Sequence, residues 1–379
     1  MMISRRNFLA VAGAAAAAAA LTACGGSSAS STSTASSAAA STASSAAEGG
    51  EKIVKVALTC DTGTIDDESF NQACWSAVSS YMGDDCQYYI PEADASDEDR
   101  ETMIRQAVND GADVIVCVGY LYGASLAWAA EQYPDVKFVA IDVTQGDIGT
   151  DEIPSNCYCI TFKEEQAGYL AGYAIAKDGK TKLGFLGGMA VPAVIRYGYG
   201  FVQGADAAAQ ELGTNIDINY FYGGQFYGDA NITSRMEGWY SNGTQVVFAC
   251  GGPVCQSCDA AAQANGGKMI GVDVDQSGRY DTVITSAMKG LAESVNEALT
   301  DSMNNGWKFT ETYAGKETKL GAAENCVGLP METSKFNKFT QEQYDAMYAS
   351  IVDGTLTIDD SFDTTVTPSV TNVTVDYQG

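Results

Sequence analysis

The chain has 379 residues, with 21 Lys and Arg against 48 Asp and Glu, no His, and a formal net charge of −27. A field of that sign repels nucleic acid and anionic lipid head groups, so neither is an expected partner. The lack of His removes Ser-His-Asp and Cys-His nucleophile systems and His-ligated metal centres, leaving carboxylate-only acid and base chemistry as the catalytic option.

Residues 1–23 read as an export signal: Arg5 and Arg6 form the charged start, Phe8 to Ala20 the apolar stretch, and Leu21-Thr22-Ala23-Cys24 the processing point. SRRNFL also fits a twin-arginine signal. LTAC is similar to a bacterial lipobox, in which the Cys24 sulfur takes a diacylglyceryl group and starts the mature chain. Two acyl chains suffice for stable anchoring, whereas the apolar stretch falls short of the roughly 20 residues of a membrane span. Cleavage there removes two Arg and no acid, leaving 19 basic against 48 acidic residues, a net charge of −29. Residues 24–50 are almost wholly Ser, Ala, Thr and Gly, the composition of a flexible tether. The expected location is the outer face of the cell membrane, held by the lipid. About 330 residues remain, enough for two domains with their own cores.

From there short apolar runs alternate with amphipathic stretches, the mark of an α/β architecture with parallel sheets. The strand candidates are Ile53 to Thr59, Val114 to Gly119, Phe138 to Asp142, Cys157 to Phe162, Leu183 to Leu186, Ile218 to Tyr222, Val246 to Ala249, Met269 to Val272 and Val283 to Thr285. Several are continuously apolar, as strands covered on both faces should be. After the first comes DTGTIDDESFNQ (Asp61 to Gln72), then one helical stripe of Phe70, Ala73, Cys74, Ala77, Val78 and Tyr81. Asp66 is the expected cap of that helix, with Asp67 and Glu68 in its first turn. The junction places carboxylates, a ring and two amides at a strand end, where open α/β sheets bind small ligands. Other strands end in Gly119, Asp142, Gly187-Gly188, Gly251-Gly252 and Asp273, so two such edges facing each other would make a cleft.

Ten cysteines follow Cys24, an even number that permits disulfides in an exported protein, yet five lie in apolar strand-like runs where a free Cys serves as a small hydrophobe. The expectation is mostly structural thiols. Cys255-Gln256-Ser257-Cys258 has no second CxxC and no His to complete a zinc site, so no metal or cofactor is expected. No GxGxxG follows a strand and no GxxxxGK[ST] occurs; Gly198 to Gly204 has the wrong spacing for either phosphate-cradling loop.

VALTCDTGTIDDESFNQACW (Val56 to Trp75), DVIVCVGYLYG (Asp113 to Gly123), YPDVKFVAID (Tyr133 to Asp142), TFKEEQAGYLAGYAIAK (Thr161 to Lys177), KLGFLGGM (Lys182 to Met189), GVDVDQS (Gly271 to Ser277), ITSAMK (Ile284 to Lys289) and LGAAENCVGL (Leu320 to Leu329) follow one another along nearly the whole mature chain. In these stretches the sequence resembles the basic membrane protein family of substrate-binding lipoproteins, whose best-known type is the purine nucleoside receptor of an ABC importer. GGPVCQSC (Gly251 to Cys258) departs from the family's more generic glycine-rich turn.

The resemblance implies a periplasmic-binding-protein type I fold, two Rossmann-like lobes joined by a three-crossover hinge. The lobes would be residues 51–162 with 285–318, and 163–284 with 319–379. The helix Leu291 to Met303 would return to the first lobe, and Gln341 to Val352 would cover the second. It further implies a purine nucleoside (guanosine, inosine or adenosine) as ligand, an ABC permease as partner, a monomeric binder and no enzymatic activity. By the same resemblance Phe70 would stack on the base, with Phe248 on its other face, and Asn71 and Asp61 would read base edges. Asp273 and Lys289 would hold the ribose, while Asp142, Gly119 and Gly252 complete the wall. The rival readings are a same-fold binder of a sugar or other small polar ligand, a carboxylate-based nucleoside hydrolase, and a nucleoside-sensing surface lipoprotein or adhesin.

Overall fold

The computed structural model describes residues 54–92 and 95–378. The export signal, Cys24 and the tether lie outside the described residues. The first lobe is built on β1 (Val56–Cys60), β2 (Cys86–Tyr89), β3 (Val114–Val118), β4 (Lys137–Ile141) and β5 (Cys157–Phe162), all parallel. Its helices are α1 (Phe70–Met82), α2 (Asp97–Asn109), α3 (Gly123–Gln132) and the one-turn α4 (Gln145–Ile148). After α5 (Glu164–Lys177) the second lobe repeats the plan with β6 (Lys182–Gly187), α6 (Pro192–Leu212), β7 (Ile216–Tyr222), α7 (Ala230–Ser241), β8 (Val246–Cys250), α8 (Val254–Asn265), β9 (Lys268–Asp273) and β10 (Val283–Lys289). The chain ends with α9 (Leu291–Asn304), β11 (Lys316–Leu320), β12 (Val327–Gly328), α10 (Gln341–Val352) and β13 (Val373–Gln378).

The two sheets run β11-β5-β4-β3-β1-β2 and β12-β10-β9-β8-β6-β7-β13, so β1 to β5 and β6 to β10 occupy matching places. Among the described strands only β12 is antiparallel to its neighbour. Each sheet carries helices on both faces, which is why the mid-sheet strands β3 and β8 are apolar throughout and buried at every position. In the first lobe one face packs Leu58, Val116 and Ile141 against α1 and α9, and the other packs Ile115 and Phe138 with Ile104 and Leu126. α5 and α6 cover the second sheet with their backbones in close approach: a Cβ at Gly168 would lie 2.1 Å from the carbonyl oxygen of Tyr197. The glycines of Gly198 to Gly204 thus belong to helix α6, whose Gly200 and Gly204 face the α5 backbone.

All nine expected strands are present. Those not foreseen, β2, β11, β12 and β13, lie at or beside sheet edges; β2, β11 and β13 are exposed at many positions and the two-residue β12 is too short for a pattern. β10 stays in the second sheet to Lys289 and β11 in the first to Leu320, so the crossings fall after those residues and not at 284/285 and 318/319. α9 packs in the first lobe's core, and α10 lays Tyr344, Met347 and Tyr348 on the second. The three crossings are tied together: Lys163 N donates to Leu320 O (2.8 Å) and Gly290 N to Cys326 O (2.6 Å).

The ten cysteines of the described residues are all free thiols, eight of them buried. Burial pushes Cys255 and Cys258 up to about 12, so both stay protonated. Among the described residues no group of three or more His, Cys, Asp or Glu could hold a metal ion, and no helix is long and apolar enough to cross a membrane.

Candidate ligand-binding cleft

The carboxyl ends of the two sheets face each other, and the loops after the strands meet along a seam. On the first wall, Asp61 follows β1. Its Oδ2 accepts from Leu121 N (3.1 Å), and its own carbonyl accepts from Arg100 Nε (3.2 Å). Burial pushes its carboxyl up to about 7. Gly119, at φ 114, leaves room for that carboxyl group: a Cβ there would sit 2.0 Å from Asp61 Cγ.

The loop then folds around Asp67, which accepts from the backbone N–H groups of Ser69 (3.0 Å), Asn71 (2.9 Å) and Gln72 (3.0 Å). Asp67 therefore does the capping expected of Asp66. α1 begins after Ser69, and Asp67 and Glu68 both precede its first turn. A carboxylate two residues upstream of the N-cap satisfies three of the donors that a helix start leaves free. Asn71 Nδ2 donates to Thr62 O (3.0 Å), while its Oδ1 is buried without a hydrogen-bond partner. The half-buried Phe70 ring lies 5.0 Å from Lys289 Nζ.

On the second wall, Asp273 ends β9 in the left-handed region at φ 64; facing it from the first wall, Asp142, just past β4, adopts φ 61. Such backbone is uncommon outside glycine, but Asp tolerates it best along with Asn. Asp273 Oδ2 accepts from Ser69 Oγ across the seam (2.6 Å), and its Oδ1 lies 3.3 Å from the Tyr197 hydroxyl. Burial pushes Asp273 above the usual carboxylate range, against the pull of Lys289. Lys289 is itself fully enclosed. Its Nζ is 2.6 Å from Asp142 Oδ2 and 2.9 Å from Glu164 Oε1, with the Phe162 ring 4.8 Å away. Arg196 Nε takes the other Glu164 oxygen at 2.7 Å. Burial opposes the ammonium charge, yet Asp142, Glu164 and Asp273 outweigh it and hold the Lys289 pKa above its ordinary value. Asp142 Oδ1 remains buried without a partner.

Of the expected residues the seam thus gathers Asp61, Phe70, Asn71, Gly119, Asp142, Asp273 and Lys289. Gly252 reaches it as well, since a Cβ there would point at Asp67 Oδ2, 3.9 Å away. Phe248 does not. It lies in the core of the second lobe, 5.5 Å from the Phe185 and Phe201 rings and 5.9 Å from Tyr197, because a central-strand residue on the α5/α6 face points under those helices. The sequence reading passed over Ser69, Phe162, Glu164, Arg196 and Tyr197. Phe162 and Glu164 stood inside a recognised stretch, TFKEEQ. Arg196 and Tyr197 carried no local signal, because a buried Arg on a glycine-rich helix reads as surface.

Residues 53–361 match the family described as ABC transporter substrate-binding protein PnrA-like (Bmp). The chain is 29% identical over 311 residues to Basic membrane protein A of Borreliella burgdorferi, covering 80% of this chain and 87% of that one. It is 27% identical over 331 residues to the ABC transporter nucleoside-binding protein BmpA of Lactococcus lactis subsp. cremoris, covering 80% and 89%. Its fold is similar to that of an ABC transporter solute-binding protein from Aeropyrum pernix K1, with a TM-score of 0.69 at 21% identity over 82% of this chain and 95% of that one.

Proposed function

The chain belongs to the Bmp family of PnrA-like ABC transporter substrate-binding proteins, extracytoplasmic solute binders and not enzymes, and from that premise we propose that it grips a purine nucleoside between its two lobes. One juxtaposition carries the reading. A ring (Phe70) and two buried acceptors without partners (Asn71 Oδ1, Asp142 Oδ1) stand on one wall, opposite a carboxylate and an ammonium (Asp273, Lys289) on the other. In this reading Phe70 stacks on the purine and Asn71 with Asp61 reads its edge. Asp273 accepts from ribose hydroxyls and Lys289 donates to a hydroxyl or the ring oxygen. Asp142, Gly119 and Gly252 complete the wall. The nucleoside-binding description of the Lactococcus lactis relative supports the ligand class.

Closure buries the ligand, which strengthens each hydrogen bond in the drier site, and the closed form docks on an ABC permease as a monomer. A diacylglyceryl group on Cys24 holds the protein at the membrane; Cys24→Ala is expected to release it into the medium. Native mass spectrometry of freshly purified protein should find a nucleoside, and calorimetry should detect binding of inosine or guanosine but not of ribose. Asn tolerates the left-handed backbone at position 273, so Asp273→Asn tests the ribose role without disturbing the fold. It should cost about 1–3 kcal/mol of affinity, and an unchanged titration would sink that role.

A further inference from the structure

A second group of contacts crosses the seam without using any of the groups assigned to the ligand. From the first lobe, the Glu68 carboxylate accepts from the Tyr280 hydroxyl and pairs with the Arg279 guanidinium. The Glu68 carbonyl accepts from Gln276 Nε2 (3.1 Å). All three partners come from the loop between β9 and β10, in the second lobe. Two of them are firmly rooted there. Gln276 uses its Oε1 to accept from Val272 N (3.2 Å) and its own N–H to donate to Ser286 Oγ (3.1 Å), while the Cys255 thiol lies 3.8 Å from the Tyr280 oxygen.

Glu68 holds this position in a left-handed backbone, φ 60, where a long non-glycine side chain is uncommon. Residues kept in such conformations are over-determined by their surroundings and gather at clamps and switches. Glu68, Arg279 and Tyr280, with Gln256, Asp275 and Gly278, line a surface concavity of about 700 Å³, so the contacts sit at the solvent mouth of the seam. Only the Arg279 half is well exposed, with 62% of its side chain in solvent against 11% for Glu68. The sheltered hydrogen bond from Tyr280 to a carboxylate is the stronger element, and the ion pair the weaker.

We propose that Glu68, with Tyr280, Arg279 and Gln276, forms a closing latch, a set of positioning residues that governs how long a ligand stays without touching it. The proposal rests on the reading of the seam as the ligand cleft. Entry happens with the lobes apart, and the latch holds the ligand-free lobes together only part of the time, so association changes by no more than about twofold when it is lost. Release requires the lobes to part, so dissociation depends on it. The latch reads no feature of the ligand, so its loss changes every ligand's release by the same factor.

The test uses the mature chain and Glu68→Gln, Tyr280→Phe and the double variant, in stopped-flow binding with inosine, guanosine and adenosine. Each single variant should raise the dissociation rate about tenfold for all three, with association rates within about twofold of the parent. The double variant should fall short of the product of the singles, since Glu68→Gln takes the charge from, and Tyr280→Phe abolishes, one shared hydrogen bond. Unchanged dissociation, or factors that differ between nucleosides, would overturn the latch; the second result would put Glu68 in contact with ligand. Small-angle scattering without nucleoside keeps the two readings separate. If the parent binds no nucleoside, the ligand assignment fails, but a larger radius of gyration for Glu68→Gln than for the parent still supports the latch, and identical curves refute it.

Discussion

Asp142 and Asp273 hold matching places in the two lobes, each at the carboxyl end of the fourth strand of its half and each in left-handed backbone, yet they meet different partners. Asp142 faces an ammonium and Asp273 faces hydroxyls. The cause lies one strand further on. β5 ends in Phe162 and β10 ends in Lys289, and the cation lies 4.8 Å from the ring of its counterpart. A repeated architecture thus supplies two similar carboxylates, and one unmatched Lys makes them chemically distinct. The same contrast holds for the rings: Phe70 borders the seam, whereas Phe248 is locked in the second lobe's core.

The largest effect should come from removing the unmatched cation. Lys289→Met leaves Asp142 and Glu164 buried without their ammonium, a loss of about 3–5 kcal/mol in urea unfolding. A loss below about 1 kcal/mol would mean that the two carboxylates do not depend on Lys289. The rings come next. Phe248→Ala should cost about 3–5 kcal/mol of stability through its cavity. Phe70→Ala should instead cost about 1–3 kcal/mol of nucleoside affinity with much less loss of stability. Calorimetry beside thermal unfolding separates the two, and a reversed pattern would break the distinction between core ring and cleft ring.

The smallest effect is the pH dependence that Asp61 contributes; it follows β1, whereas the uncharged Gly188 follows the matching β6. Burial raises Asp61 from 3.8 to about 7, so between those values the folded chain holds a proton that the unfolded chain has released. Its contribution to stability is therefore full below pH 4 and is lost as the pH rises through 7. Asp61→Asn should track the parent at pH 4 and be more stable by about 1–3 kcal/mol at pH 8. Parallel curves for parent and variant across that range would remove Asp61 as the source.

Much of this was legible beforehand. Several of the nine central strands announced themselves because burial on both faces demands unbroken apolar runs, as in VIVCV of β3, and β7 (IDINYFY) did so by alternation. Strand ends rich in Asp and Gly foreshadowed the seam where the lobes meet, because those residues tolerate left-handed turns. KETKL of β11 was illegible for the opposite reason: an edge strand keeps a solvated face and shows no run. The helix start was misread by one residue. Asp66 and Asp67 look alike in sequence, and only the path of the loop decided that Asp67 reaches three backbone donors.

By itself the sequence determined the α/β plan, the absence of His chemistry, the family and most of the strand-end residues. These depend on local periodicity and on motifs contiguous in the chain. The tertiary structure alone decided that Phe248 is a core ring, that Arg196 and Glu164 sit behind Lys289, and that Glu68 meets Tyr280 across 212 positions of chain. Those are pairings between distant segments. They follow from how two sheets and three crossings bring strand ends together, and no stretch of sequence carries that geometry on its own.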